Sequence, residues 1–195
     1  MIGAPSSTVR EQILQACFEL FSKRGIGAAV VDDLVACAGV TRATFYSSVG
    51  SKEEVVRAYL EHLYLTWVDA IEAAVAVRGE GPESILGIFD AVEEFGSKET
   101  HTPFASLVNV LAELGPDGPL GQEVVQLSAQ LTTRIALLAK TAGIHQAEEF
   151  AKDLRLLLDG SILCISEGSV RGVDDAKNLA KALIKHHLSP EEARA

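Results

Sequence analysis

Residues 29–56 read AVVDDLVACAGVTRATFYSSVGSKEEVV. Val31, Leu34, Val35 and Ala38 recur at helical spacing and give a short helix one apolar face. Gly39 follows, a residue suited to the left-handed backbone of a turn between two steeply crossing helices. Thr41 is placed to cap a further short helix over about 42–47. Ser51 and Glu54 then form an S-x-x-E capping box that opens a long helix. This is how a chain holds one small helix clear of a rigid base, the arrangement in which a helix-turn-helix offers its second helix to a groove of DNA.

The rest of the chain continues in helices. Thr8 and Glu11 form a T-x-x-E box before Val9, Ile13, Cys17, Leu20 and Phe21, which predicts a first helix to about Arg24, stopped by Gly25 and Gly27. The helix opened by Ser51 carries Val55, Val56, Tyr59, Leu60, Leu63, Trp67, Val68, Ile71 and Val75 on its apolar positions and runs over about 52–78. At 1.5 Å per residue it is roughly 40 Å long, enough to join two parts of a molecule. Five more helices are expected near 82–96, 102–114, 119–142, 146–167 and 173–187, separated by GEGP, GPDGP, AG and GSVRGV. The fold class is therefore all-α with about nine helices. We expect a helix-turn-helix domain over residues 1–50 and a helical ligand-binding and dimerisation domain over 51–195.

Composition narrows the functional classes. The chain has 195 residues, 48% of them apolar, enough for a substantial core. The net charge of −10 argues against indiscriminate nucleic-acid binding. The charge is uneven, however: residues 1–56 hold five Lys/Arg against six Asp/Glu, and the remainder twelve against twenty-one. A DNA-binding front would thus depend on a few placed cations. Cys17, Cys37 and Cys164 are odd in number and have no metal-ligand or redox spacing. Cys17 and Cys37 fall at apolar helix positions and are expected to pack as small core residues. The opening MIGAPSSTVREQ lacks the apolar segment of a signal peptide, and no run approaches a membrane span. No nucleophile elbow, metalloprotease motif or phosphate-cradling loop is present, so the sequence predicts neither an enzyme nor a cofactor or metal.

Over about residues 9–56 the chain resembles the DNA-binding domain of TetR-family transcriptional regulators. The resemblance is carried by Ile13-Leu14 and Leu20-Phe21, by Gly25, and by Asp33-Leu34. It continues through Ala38-Gly39-Val40-Thr41, Thr44-Phe45-Tyr46 and Ser51-Lys52-Glu53-Glu54. It implies a bacterial, cytoplasmic regulator, most simply a repressor, that binds a palindromic operator as a homodimer and is released by a small effector. The residue chemistry agrees. Val40 and Phe45 should lock the turn onto the first two helices and leave Thr41, Arg42, Ala43, Thr44 and Tyr46 facing outward. Thr and Tyr hydroxyls suit phosphates, an Arg fork suits guanine and an Ala methyl suits thymine. Lys52, beside the free N–H groups of its helix, would complete a phosphate clamp. Two departures stand out: Ala29, Val30 and Asp32 where a hydroxyl cap and a basic residue are usual, and Ser47, Ser48, Val49 and Gly50 where larger groups are common. They motivate an alternative, a helical sensor or interaction protein of the same fold with weak or lost DNA binding.

A reading helix of this kind needs a second copy to span successive major grooves. The last two helices are the expected homodimer surface, through Phe150, Leu154, Leu157, Ser161 and Ile165 on one and Leu179 and Leu183 on the other. The middle helices are expected to enclose a small hydrophobic effector with Trp67, Ile71, Phe89, Phe95, Phe104, Val108, Leu111, Leu127 and Leu131, and with Arg134 as a polar handle. The ligand would select one tilt of the long helix and thereby the spacing of the two reading helices.

Overall fold

A computed structural model describes residues 8–97, 106–169 and 171–188. All regular structure among them is helical: α1 Val9–Arg24, α2 Val31–Ala38, α3 Arg42–Val49, α4 Lys52–Val77, a 3-10 turn Pro82–Leu86, α5 Gly87–Ser97, α6 Leu107–Leu114, α7 Pro119–Thr141, α8 Ala147–Ser166 and α9 Arg171–His187. The chain falls into two compact units. One comprises residues up to 63 with 101–125, the other 64–100 with 126–195. The boundary therefore lies within α4 and α7, whereas the sequence suggests a functional division at residue 50.

In the N-terminal unit the caps act as their residue types dictate. Thr8 Oγ1 accepts from the Glu11 N–H at 3.3 Å and the Glu11 carboxylate accepts from the Thr8 N–H at 2.7 Å. The Ser51–Glu54 box repeats this at 3.2 and 2.7 Å. Val30, at the start of α2, has no side-chain acceptor. Asp33 reaches back instead and accepts the Val30 N–H at 3.2 Å, which satisfies one otherwise free donor. Ile13, Cys17, Leu20 and Phe21 of α1 pack inward with Leu34, Phe45 and Val49. The first turns of α4 join this core through Val55, Val56, Tyr59 and Leu60. Tyr59 lies between Phe18 and Phe21, with both ring centroids 5.4 Å away, and its hydroxyl is 3.0 Å from that of Ser22. That packing is why the compact unit extends past residue 50 into α4.

The C-terminal unit is built on the α8–α9 pair. The two helices form an antiparallel hairpin: at one end the Ser169 N–H donates to the Cys164 carbonyl at 2.8 Å, at the other the His145 N–H donates to the His187 carbonyl at 3.1 Å. His187 is buried, edge-on to Phe150 at 5.5 Å. Against the hairpin pack the 3-10 turn and α5, and Arg155 of α8 donates to the Ser128 carbonyl of α7 at 3.1 Å. An ion-pair cluster ties α9 to α5. The Arg78 guanidinium grips both oxygens of Asp90, and Lys177 reaches Asp90 at 2.8 Å and Glu93 at 2.7 Å. The Arg78 hydrogen bond is the main cause that holds the Asp90 carboxyl below its ordinary pKa. Burial works against the charge on Lys177, but its bonds to Asp90 and Glu93 prevail and raise its pKa.

Three sequence expectations change. The segment expected as one helix over 82–96 begins as a 3-10 turn, because the Ser84 hydroxyl donates to the Gly81 carbonyl at 2.7 Å and tightens that turn around Pro82. Described α6 starts at Leu107 under a Ser106 cap; the earlier part of its expected range lies outside the described residues. Cys17 is fully buried as expected, but Cys37 is exposed, at the edge of α2 nearest α1, with its Sγ 3.5 Å from the Ala16 carbonyl.

Candidate nucleic-acid interface

The positioning of α3 begins with Gly39. Its backbone, at φ 65° and ψ 29°, is left-handed, and its N–H closes the end of α2 onto Ala36 and Val35. Only glycine takes this conformation without cost, so the turn is sharp and fixed. Two residues later Thr41 caps α3, its Oγ1 accepting the Thr44 N–H at 3.1 Å. Phe45, with no exposed surface, and Val49 at 5% then anchor the helix from below. Val40 is half-buried and completes the turn. This anchoring turns the opposite face outward: Thr41, Arg42 and Ala43 are exposed, Thr44 is half-buried, and Tyr46 is 48% exposed with its ring edge-on to Phe45 at 5.7 Å.

The chemistry of this face is more constrained than the sequence indicates. The Thr41 and Thr44 hydroxyls lie 2.9 Å apart, so one donates to the other and a single hydroxyl proton of the pair is left for an outside oxygen. Arg42 Nη2 is paired with Asp32 Oδ1 across the turn, both side chains being about two-thirds exposed. The Asp32 carboxylate, which stands where a basic residue is usual, is therefore held by the cation expected to read guanine, and the two charges cancel. Lys52, half-buried at the start of α4, makes no ion pair among the described residues and stands as a net positive charge beside the face. The neighbouring Glu53 is engaged by Arg57 at 2.6 Å.

A second contact escaped the sequence. Glu113, at the end of α6, accepts the Gly27 N–H at 2.6 Å and so fastens the α1–α2 loop. A Cβ at Gly25 would sit 2.7 Å from the same carboxylate, which can swing aside; it is the left-handed φ of 82° there that calls for glycine. Partners 86 residues apart leave no local pattern to read.

The residues expected to line an effector pocket are dispersed. Trp67 and Phe95 meet at 4.8 Å in the C-terminal unit, where Ile71, Phe89 and Leu131 are buried and Leu127 is half-buried. Arg134, half-buried, is paired with Glu72. Val108 and Leu111 belong to the N-terminal unit, and Phe104 lies outside the described residues.

For the dimer surface the expectation needs correction. Phe150, Leu154 and Ser161 are all at least 98% buried within the chain and have no area left for a partner. Leu157, Ile165 and Leu183 are half-buried, and Leu179 is 56% exposed. The outer face of α8 carries Leu156, 73% exposed, and Leu163, 44% exposed, with exposed Gly160 between them at i, i+4 and i+7. Two apolar stripes run side by side on α8, and spacing alone does not say which one faces inward.

Residues 13–59 match the family model described as bacterial regulatory proteins, tetR family. Over 93 residues the chain is 33% identical to the uncharacterized HTH-type transcriptional regulator YvdT of Bacillus subtilis, covering 47% of this chain and 46% of that protein. Over 57 residues it is 39% identical to the HTH-type transcriptional regulator TtgR of Pseudomonas putida, covering 29% of this chain and 27% of that one. The matched part thus spans about half the length of these curated relatives, or less. Among solved structures, the reduced form of Escherichia coli NemR superposes with a TM-score of 0.78 at 17% identity, over 89% of this chain and 95% of that chain. A TetR-family regulator of Streptomyces coelicolor, SCO4454, superposes with a TM-score of 0.71 at 20% identity, over 89% and 90%. At such identities the structural likeness speaks for the fold.

Proposed function

We propose that the chain, whose residues 13–59 match the model of the tetR family of bacterial regulatory proteins, is a ligand-responsive transcriptional repressor of that family that binds a palindromic operator as a homodimer. Residues 1–50 read DNA, residues 51–195 bind the effector and the second copy, and α4 runs from one part into the other. The observation that carries this proposal is the outward face of α3, with Thr41, Arg42, Ala43 and Tyr46 exposed on a helix whose other side is locked by Phe45. Lys52 supplies a phosphate contact from α4. No described helix is long and apolar enough to cross a membrane, and a protein that reads the genome works in the cytoplasm.

The homodimer forms through the outer faces of α8 and α9, with Leu156, Gly160, Leu163, Leu179 and Leu183 at its centre. Exposed leucines on a helical hairpin support this, since burying them against a second hairpin makes a four-helix interface. A small hydrophobic effector binds in the C-terminal body against Trp67 and Phe95, and selects the tilt of α4 that releases DNA.

Gel-shift titration of the full chain against genomic fragments tests the core of this proposal. Specific fragments should be retarded with a negative log–log salt slope, and Arg42→Ala or Tyr46→Ala should weaken binding by about 1–3 kcal/mol for a base contact. Leu163→Asp should give a folded monomer by sedimentation and lose operator binding together with it. The Arg42–Asp32 pair favours a second reading, a sensor of this fold that no longer binds DNA. Absence of any retarded fragment at low salt would select it.

A further inference from the structure

Within the N-terminal unit a cleft of about 500 Å³ opens beside the start of α4. Ile26, Val56, Leu114 and Leu120 give it apolar walls, and Lys52 and Glu53 are its charged lining. Its size falls in the range of small-molecule sites. None of the residues expected to hold an effector lines it, so it is separate from the pocket proposed above.

The charges around the cleft decide what it can hold. Arg57 engages two carboxylates, Glu53 at 2.6 Å and Glu123 at 3.2 Å. Glu54 is committed to the Ser51 N–H at 2.7 Å, and Glu113 to the Gly27 N–H at 2.6 Å. Each of these carboxylates is held by a donor, Glu53 and Glu123 by the shared Arg57 and Glu54 and Glu113 by backbone N–H groups that leave their charge in place, whereas Lys52 makes no ion pair among the described residues and is the cation of the lining. Apolar walls with one unsatisfied ammonium complement an anion that carries an apolar body. An inorganic anion would gain nothing from the walls, and a neutral apolar molecule would leave the ammonium unmatched.

We propose that this cleft is a second effector site, for a small amphipathic carboxylic acid whose carboxylate pairs with Lys52 while its chain lies on Ile26, Val56, Leu114 and Leu120. Lys52 is also the phosphate contact of the function proposed above, and the regulatory consequence rests on that role. An acid in the cleft takes the ammonium that DNA requires, so acid and DNA compete directly, without any change in dimer geometry.

Octanoate is the probe, with acetate and 1-octanol as partial analogues, titrated calorimetrically into the full chain without DNA. Octanoate should bind, acetate should not, and octanol should bind more weakly. Lys52→Met should weaken octanoate by about tenfold or more, as expected for loss of a charge-assisted bond, and leave octanol unchanged, whereas Lys52→Arg should retain octanoate. Leu120→Glu should weaken both ligands. Circular-dichroism melts establish that each variant is folded. Octanoate binding that is indifferent to Lys52→Met overturns the cleft site and leaves the DNA proposal standing. Octanoate that requires Lys52 while Lys52→Met leaves DNA affinity intact keeps the site and removes the competition. Octanoate displacing a labelled duplex from the wild type but not from Leu120→Glu supports both.

Discussion

Replacing Asp32 by Asn isolates the charge balance of the reading face. Asp32 and Arg42 are 65% and 62% exposed, and an ion pair so accessible contributes no more than about 1 kcal/mol to stability. The substitution therefore perturbs DNA binding and not folding. In the wild type the pair cancels, which leaves Lys52 as a cation beside α3 with no ion pair among the described residues. Asp32→Asn adds one net positive charge per protomer and frees the guanidinium. Each neutralised phosphate contributes about 0.9 to the slope of log affinity against log salt, so the slope should steepen by about 0.9 per protomer and about 1.8 for a dimer. Between about 200 and 50 mM salt, a fourfold change, this corresponds to a factor of about 3.5 or about 12 in relative affinity. Fluorescence anisotropy of a labelled random-sequence duplex at several salt concentrations measures it. Because the gain is directed at phosphate, operator affinity should rise less than random-duplex affinity, and the ratio of the two should fall. The double variant with Arg42→Ala separates two routes. An unchanged slope in Asp32→Asn, or the same increment when Arg42 is absent, would refute the idea that Asp32 acts by occupying Arg42.

Three further outcomes follow from the geometry. A Cβ on Gly87 would lie 2.6 Å from the backbone of Ala74 and Val75, so Gly87→Ala must push α5 off α4; a loss of about 1–3 kcal/mol should lower the urea midpoint at constant m-value. Asp90 titrates below its ordinary 3.8, so the folded state binds fewer protons than the unfolded one; its contribution is complete above that pH and disappears as pH falls through the lowered value. Lys177, raised above its ordinary 10.5, contributes fully below that pH and loses its contribution as pH rises through the raised value, so the stability difference between wild type and Lys177→Met should be broad near neutrality and shrink at both extremes, as urea unfolding across pH will show. Burial first, then the neighbouring Cys37, pushes the Cys17 thiol up to about 11, so Ellman's reagent near neutral pH should label exposed Cys37 rapidly and Cys17 only at the rate of unfolding; rapid labelling of Cys17 would contradict its burial.

What the sequence revealed and what it hid divide along one physical line. The caps at Thr8, Thr41 and Ser51, the left-handed Gly39 and the inward Phe45 are local: each depends on residues within a turn or two, and each stands where its spacing places it. The contacts that constrain the candidate interface are not local. Asp32 meets Arg42 because two helices cross at Gly39, and Glu113 meets Gly27 across 86 residues of chain. On α8 the difficulty is degeneracy, since Phe150, Leu154 and Ser161 on one stripe and Leu156, Gly160 and Leu163 on another satisfy the same helical period. One stripe is buried against the chain's own core, and the other is exposed, where the proposed function puts the second copy. The acidic residues look like a departure from a DNA-binding pattern when counted along the sequence. In the fold Asp32, Glu53, Glu113 and Glu123 are each bound to a named donor; Arg42 cancels Asp32 one for one, whereas Glu53 and Glu123 share Arg57 and Glu113 is held by a backbone N–H. On the proposed function, affinity for DNA would be governed by how readily Arg42 leaves Asp32 and whether Lys52 is free, two equilibria that salt would shift and, on the proposed cleft site, a small anion also.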